Sequence, residues 1–486
     1  MPRREIIAAV GVVLLALIAC LAWAFYEEAP PSFEESAAIL RAAGLPATIE
    51  ELHIDRPPPE ENAALPFIES LAVLPDWGDD KLFDKVLNVS SNPDSPDFAA
   101  RADASGIDRA RLLLRLDELD PPEDDADHFG SFGAAGSAGG SATQPAPLSD
   151  AEKWAIMRES LAEFGQVLEL IEPTADMRWP LRADYVLDHD LSEASPELSD
   201  VRPLVHLIIA GMRDAAAADD PERAMRLLHA GWTFAETRSA AAFHSPDHVQ
   251  VWIAENFLLV AAADLWKEDH FGFARNKAAR RSMLALQDRL GTLEPIEGAF
   301  KRSIFGDAAL NVAEFQRMQT QINAGEEVAG VLFPDLDPLD EAAALAAFLP
   351  AILPAYAAAS LPEALDAIAL DEVDAMQRDS NARLVWWRVS GPDNGLIEWH
   401  HRAVAIRRLA RLAIAAALYR ADHDDGGGGQ LPPTLDALVP DYLDAVPIDP
   451  LSGGAFSYDP AAGTIAAAYP PGERFADMDP PTVRLK

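Results

Sequence analysis

The first 26 residues constrain this chain more than any other stretch. Arg3 and Arg4 are followed by Ile6 to Tyr26 (IIAAVGVVLLALIACLAWAFY), a run without a charged residue. A helix of about 20 apolar residues crosses roughly 30 Å of hydrocarbon, so the run predicts a transmembrane helix. Arginines before it and Glu27 and Glu28 after it place the amino end in the cytoplasm and the bulk of the chain outside. A second reading is a lipoprotein signal, because Leu17-Ile18-Ala19-Cys20 has the form of a lipobox with Cys20 as the acylated residue. The apolar run continues past Cys20 to Tyr26, whereas lipoproteins usually turn polar there. Trp23, Phe25 and Tyr26 suit an interfacial aromatic belt instead. A cleavable secretory signal is the third option, set back by a run longer than the usual signal core.

Everything after the anchor reads as one large, mostly helical body. The 486 residues suffice for two or three domains with sizeable cores. With one cysteine, no internal disulfide can form, so stability must come from packing. The formal net charge of −40 repels nucleic acid and anionic lipid heads, which argues against nucleic-acid binding. It is compatible with weak divalent-cation binding or a basic partner, and a solvated surface accounts for it most simply.

The expected fold class is mainly α. It comprises an N-terminal transmembrane helix, a multi-helix body of helical hairpins outside the membrane, and a small C-terminal appendage with a β-hairpin. Residues 1–31 form the anchor and spacer. Residues 32–120 are mixed irregular and helical, with Ser32 capping a helix over Phe33 to Ala43 that Gly44 closes. Residues 121–148 are a low-complexity linker rich in glycine, serine and alanine that cannot bury enough apolar surface to order itself.

The helical domain spans 149–394. Ser149 and Glu152 have capping-box spacing, and Trp154, Met157, Leu161, Phe164, Leu168 and Ile171 follow as one apolar stripe. Helices over Val201 to Ala218 and Ala224 to Phe243 are joined by Asp219-Asp220-Pro221, a joint short enough to force an antiparallel hairpin. Val249 to Trp266 reads as a central helix, and 275–290, 299–323, 339–358 and 361–378 as further ones. Leu384 to Val389 reads as a strand. The last unit, 395–486, is a long helix over roughly 396–422 followed by a tail.

That tail carries Tyr419-Arg420, Asp422, Pro432-Pro433, Thr434-Leu435, Leu438, Pro440, Tyr442-Leu443, Pro447, Asp449-Pro450, Gly453 and Tyr458. In this order they resemble the carboxyl-terminal segment of the major pseudopilin of type II secretion. They also resemble uncharacterised bacterial membrane-anchored proteins that carry such a tail behind a large helical domain. The resemblance covers roughly 60 of 486 residues. Read physically, Thr434 to Leu438 makes a short helix that Pro440 stops, and Tyr442 and Leu443 anchor the chain to the body. Asp449-Pro450 with Ser452-Gly453-Gly454 turns into a hairpin of Ala455–Tyr458 against Thr464–Tyr469. The amino end, PRREIIAAVGVV, departs from the glycine, aromatic and glutamate pattern used for pseudopilin processing. The acidic calcium loop of pseudopilins is reduced to Asp477 and Asp479, the only metal-ligand candidates there. Asp422-His423-Asp424-Asp425 lacks helix-loop-helix calcium spacing.

Chemistry candidates are few. The chain has no phosphate-binding glycine loop, nucleophile elbow, HExxH or CxxC pair. His248 and Glu255, seven apart on one helical face, are candidates for an acid–base pair or metal ligands. Glu255 lies in an apolar helix, where a carboxylate needs a partner, so a core ion pair is the alternative. Glu398, His401 and Arg402 read as a surface group at helical spacing. Arg402, Arg407, Arg408 and Arg411 form the one basic cluster, able to dock an anionic partner or neutralise acidic neighbours. Trp386-Trp387 could line a groove or fill a core.

These readings converge on a non-enzymatic scaffold or interaction protein, held by one span in a bacterial inner membrane and facing the periplasm or exterior. Its partners are the membrane, through the N-terminal helix, and an unidentified protein. No cofactor is expected. The alternatives are a pseudopilin-like component of a secretion or pilus apparatus and an extracytoplasmic hydrolase using His248 and Glu255.

Overall fold

A computed structural model describes residues 31–48, 51, 149–176, 201–241, 254–263, 274–292, 311–324, 337–356, 358–367, 395–423, 429–471 and 479–485. The expected membrane helix, the linker, the Leu384–Val389 strand and Trp386-Trp387 lie outside these residues.

The described chain is mainly helical, and local chemistry sets the helix starts. Helix α1, Phe33–Ala42, and helix α2, Asp150–Ile171, both open on reciprocal capping boxes. Ser149 Oγ accepts the Glu152 N–H at 3.4 Å while Glu152 Oε2 accepts the Ser149 N–H at 2.8 Å. Donors that the helix leaves orphaned are satisfied at once. The α2 stripe turns inward: Met157, Phe164, Leu168 and Ile171 are buried, with Trp154 and Leu161 packed at its edge. A 3₁₀ turn, Glu172–Asp176, extends α2.

Helices α3, Val201–Ala217, and α4, Pro221–Ala241, form the expected antiparallel hairpin. Asp219 takes the left-handed conformation at φ 59°, and Asp220 Oδ1 accepts the Arg223 N–H at 3.0 Å as the α4 cap. Two glycines allow close helix approach. A Cβ on Gly211 of α3 would sit 2.5 Å from Leu168 of α2, and one on Gly231 of α4 would sit 2.7 Å from Leu258. Leu258 belongs to α5, Ala254–Ala263.

Helix α6, Lys277–Gly291, is capped by Asn276, whose Oδ1 accepts the N–H groups of Ala278 and Ala279. Helix α7 covers 311–324. Helix α8, Pro338–Tyr356, packs on α1 and on α9, Leu361–Ala367. Among the described residues, Pro338–Ala355 is long and apolar enough to cross a membrane by length and composition. Its Leu345, Phe348 and Leu349 are buried in the core of this fold.

Helix α10, Gly395–Asp422, is the longest among the described residues and packs on α6, α9 and the tail. The tail holds a 3₁₀ turn at Leu435–Leu438 and an antiparallel sheet of order β1-β2-β3. Strand β1, Ser457–Asp459, pairs with β2, Thr464–Ala466, with Tyr458 opposite Ile465. Strand β3, Thr482–Arg484, pairs with β2, with Val483 opposite Ile465.

The expected hairpin is therefore present with shorter strands, and it gains a third strand. Thr482-Val483-Arg484 is too short to announce itself, but its alternation of exposed, buried and exposed residues seals the sheet against α10. Ile448 and Ala455 pair only as an isolated bridge before β1.

Candidate functional site

Three polar clusters are built on α10, and together they hold most of the titratable residues that the sequence singles out. The first lies inside the bundle. Arg407, fully buried, aims its guanidinium at two helices. Nε and Nη2 donate to Glu255 Oε1 of α5 at 2.9 and 2.7 Å, and Nη1 donates to Glu236 Oε1 of α4 at 3.2 Å. Arg289 of α6 completes the group: Nε donates to Glu236 Oε2 at 2.6 Å and Nη1 to Thr233 Oγ1 at 2.7 Å. The Arg407 guanidinium also lies 5.7 Å from the Trp232 ring centroid, within cation–π range.

Two arginines against two glutamates leave the cluster formally neutral, which a buried group of charges requires. Burial pushes the Glu255 carboxyl above its ordinary value, opposed by Arg407. For Arg407 burial disfavours the charge, yet Glu255 and Glu236 outweigh it and its pKa is raised. Arginine does not give up its proton in a folded protein, so Glu255 serves as its counter-ion. Glu255 Oε2 is buried and has no hydrogen-bond partner among the described residues.

The second cluster sits at the carboxyl end of α10. Asp422 accepts a two-pronged bond from Arg280 of α6, at 3.0 and 2.8 Å, and the Tyr442 hydroxyl of the tail at 3.0 Å. Partial burial works against the Asp422 charge, but Arg280 and Tyr442 overcome it and hold the carboxyl below its ordinary range. Burial and the Asp422 charge push the Tyr442 phenol up to about 12. Gln287 Nε2 donates to the Tyr442 carbonyl at 3.0 Å, and Tyr419 stacks on His423 with centroids 3.9 Å apart.

The third cluster lies near the start of α10. Tyr469 donates its hydroxyl to Glu398 Oε1 at 2.9 Å and accepts Arg402 Nη1 at 2.9 Å. Burial raises the Tyr469 phenol, with Glu398 adding and Arg402 opposing. His401, also buried, is depressed to about 4 by burial and by the nearby Arg408 charge. Its Nε2 has no partner among the described residues.

The tail completes the picture along α10. Arg408 Nη1 donates to the Ile448 carbonyl at 2.9 Å, and Tyr458 donates to the Pro432 carbonyl at 2.7 Å. Asp449 is fully buried and accepts Leu451 N–H, Ser452 Oγ and Ala468 N–H at 2.7–2.9 Å. It thereby ties the predicted turn to the segment that leaves β2. Leu435, Leu438, Leu443, Leu451, Ile465 and Val483 bury themselves in the common core.

Several site expectations change. The four arginines do not make one basic face. Arg407 is inside, Arg402 and Arg408 fasten the tail, and Arg411 lies over α6, 3.2 Å from where a Gly291 Cβ would be. At about 100° per residue, Arg407 already points about 140° away from Arg402, a signal visible in their spacing. Glu398 and His401 are not a surface group: both are buried, and Tyr469, 71 positions downstream, bonds to Glu398. Glu255 finds a partner in Arg407, and His248 lies outside the described residues. Glu255 is 1% exposed, with one oxygen engaged by Arg407. Cys20 and Asp477 also lie outside, and Asp479 is exposed. Among the described residues no group of three or more histidine, cysteine, aspartate or glutamate side chains could hold a metal ion.

No protein-family model, curated protein or solved structure matches this chain.

Proposed function

We propose that the chain is a membrane-tethered, extracytoplasmic helical scaffold that engages a protein partner and carries out no chemistry of its own. One observation carries the reading: the charged and aromatic residues gathered on α10 are spent on fastening the tail and the helices to one another. Arg407 joins α5 and α4 to α10, Asp422 joins α6 to the tail, and Tyr469 joins the tail back to α10. Such an arrangement supports a firmly presented end and gives no reason for a reactive centre at these groups. The uncharged run from Ile6 to Tyr26 supports the tether.

A pseudopilin-like role is the second reading. It is favoured by the order in which the tail builds on its long helix: a 3₁₀ turn, the Asp449 turn, then strands.

Membrane fractionation with protease treatment of intact spheroplasts tests the tether. The protein is expected in the carbonate-washed membrane pellet and open to external protease. Recovery in the soluble fraction, or full protection, overturns it. Cross-linking from membranes then separates the readings: a secretion or pilus subunit as the captured partner selects the second.

A further inference from the structure

We propose that Arg407 sets the axial register of α10 within the bundle, and so the place at which the tail is presented. No residue of α10 between Ile397 and Ala421 is exposed. The buried surface around Arg407 is apolar, with Ala403, Ala405, Ala410 and Ala413 set among Val404, Ile406, Leu409, Leu412 and Ile414. Apolar burial has no direction, but a slide of one turn, about 5.4 Å, would set Leu409 in the place of Ala405 and Ile414 in the place of Ala410, a misfit of volume with no loss of apolar character. Packing therefore opposes a slide through misfitted volume, whereas a stranded buried charge opposes it more strongly.

The guanidinium discriminates sharply. Its donors form a planar fork, and here the fork reaches Glu255 on α5 and Glu236 on α4 at once. Arg289 of α6 holds Glu236 from the other side. Sliding α10 one turn in one direction would put Ala403 in this site and leave Glu255 buried without a counter-ion. Sliding it the other way would bring in Arg411 but drive Arg407 into the apolar place of Ala403, which is 9% exposed. Each slip strands a charge in the core. A single buried polar contact that fixes register in helical assemblies is an established use of such groups.

The other arginines on α10 act differently. Arg402 and Arg408 bind the tail, whose Leu435–Leu438 turn and strands β2 and β3 pack on α10, while Gln287 of α6 and Leu361 of α9 each hold it by one further bond. Arg280–Asp422 does join α10 to α6, but its side chains are 31% and 41% exposed and it sits at the helix end.

The test is a distance measurement on the full chain carrying Cys20→Ser. Nitroxides are placed at Leu284→Cys on α6 and Ser457→Cys on β1, both exposed. With Arg407 present, one narrow distance is expected. The paired change Arg407→Met with Glu255→Leu removes the cluster's inner half and leaves Glu236 with Arg289. It is expected to keep the helical circular dichroism while the distance splits or shifts by about 5 Å. An unchanged single distance overturns the proposal. So does loss of the helical signal, because the pair would then be needed for the fold and not for its register. Asp422→Asn is expected to leave the distance alone; a shift from that change alone would move the register device to the helix end and also overturn the proposal.

Discussion

Arg407 and Arg280 each place two N–H groups on one carboxylate, at nearly the same distances, yet the two clasps belong to different physical regimes. Arg407 and Glu255 are at most 1% exposed, and Arg280 and Asp422 are about a third exposed or more. In the interior, each charge depends on the other for its solvation, so the cost of losing one is far larger than the worth of the pair. At the surface, water replaces a lost partner. The sharpest way to break the comparison is Arg407→Met alone. It should cost about 3–5 kcal/mol, read as a lowered urea midpoint, by leaving Glu255 buried and unpaired. Adding Glu255→Leu should recover most of that loss. If the single change cost under 1 kcal/mol, water would have to reach the cluster, and the contrast with Arg280 would vanish.

The tail offers a third regime, in which polar fasteners orient and apolar burial holds. Leu438 is fully buried where the 3₁₀ turn meets α10. Leu438→Ala should cost about 2–4 kcal/mol through lost transfer energy and a residual cavity. Limited proteolysis should then open cuts within 429–485 that the unchanged chain lacks. No new cut there would mean that the tail is not the weaker attachment.

The same division explains what the sequence discloses and what it hides. Local rules carry far: the Ser32 and Ser149 caps, the Asp220-Pro221 hairpin joint and the Asp449 turn all appear where their spacing places them. Where their ends are described, helix bounds differ from the expected ones by up to three residues, because ends are set by caps and covers that periodicity does not see. What stays hidden is pairing across distance. Glu255 announces that it needs a partner, and Arg407 announces a charge in an apolar helix, but 152 residues separate them and nothing local joins the two. Glu398 looks exterior on its own helix, because its partner Tyr469 arrives from the tail, 71 positions on. Strand β3 is hidden for a similar reason, since three residues acquire meaning only beside β2.

His401 tests whether the start of α10 behaves like the interior or like the surface. Its folded pKa is about 4, below the ordinary 6.5, because burial and then Arg408 disfavour the imidazolium. The unfolded chain therefore binds the extra proton as pH falls below 6.5, and the folded chain does not until about 4. Stability should be full above pH 6.5 and fall through that window, by roughly 2–3 kcal/mol on this group's account. His401→Leu should flatten that part of the pH dependence of the urea midpoint. An unchanged slope would mean that His401 titrates in contact with water.

Asp422→Asn is the smallest expected effect and the cleanest complement to Arg407→Met. The amide keeps an acceptor for Arg280 or Tyr442 but loses the charge that both bonds use. With side chains this exposed, the pair should be worth about 0.5–1 kcal/mol at low salt and less at 1 M salt, where screening falls to a few ångströms. The depressed Asp422 carboxyl sets the sign with pH: its contribution is present above the ordinary aspartate range and is lost as pH falls through the lowered value. The Arg407 cluster should be almost indifferent to added salt, because ions do not enter a core. If Asp422→Asn matched Arg407→Met in cost, or if salt weakened the inner cluster as much as the outer clasp, burial would not be the variable that separates them.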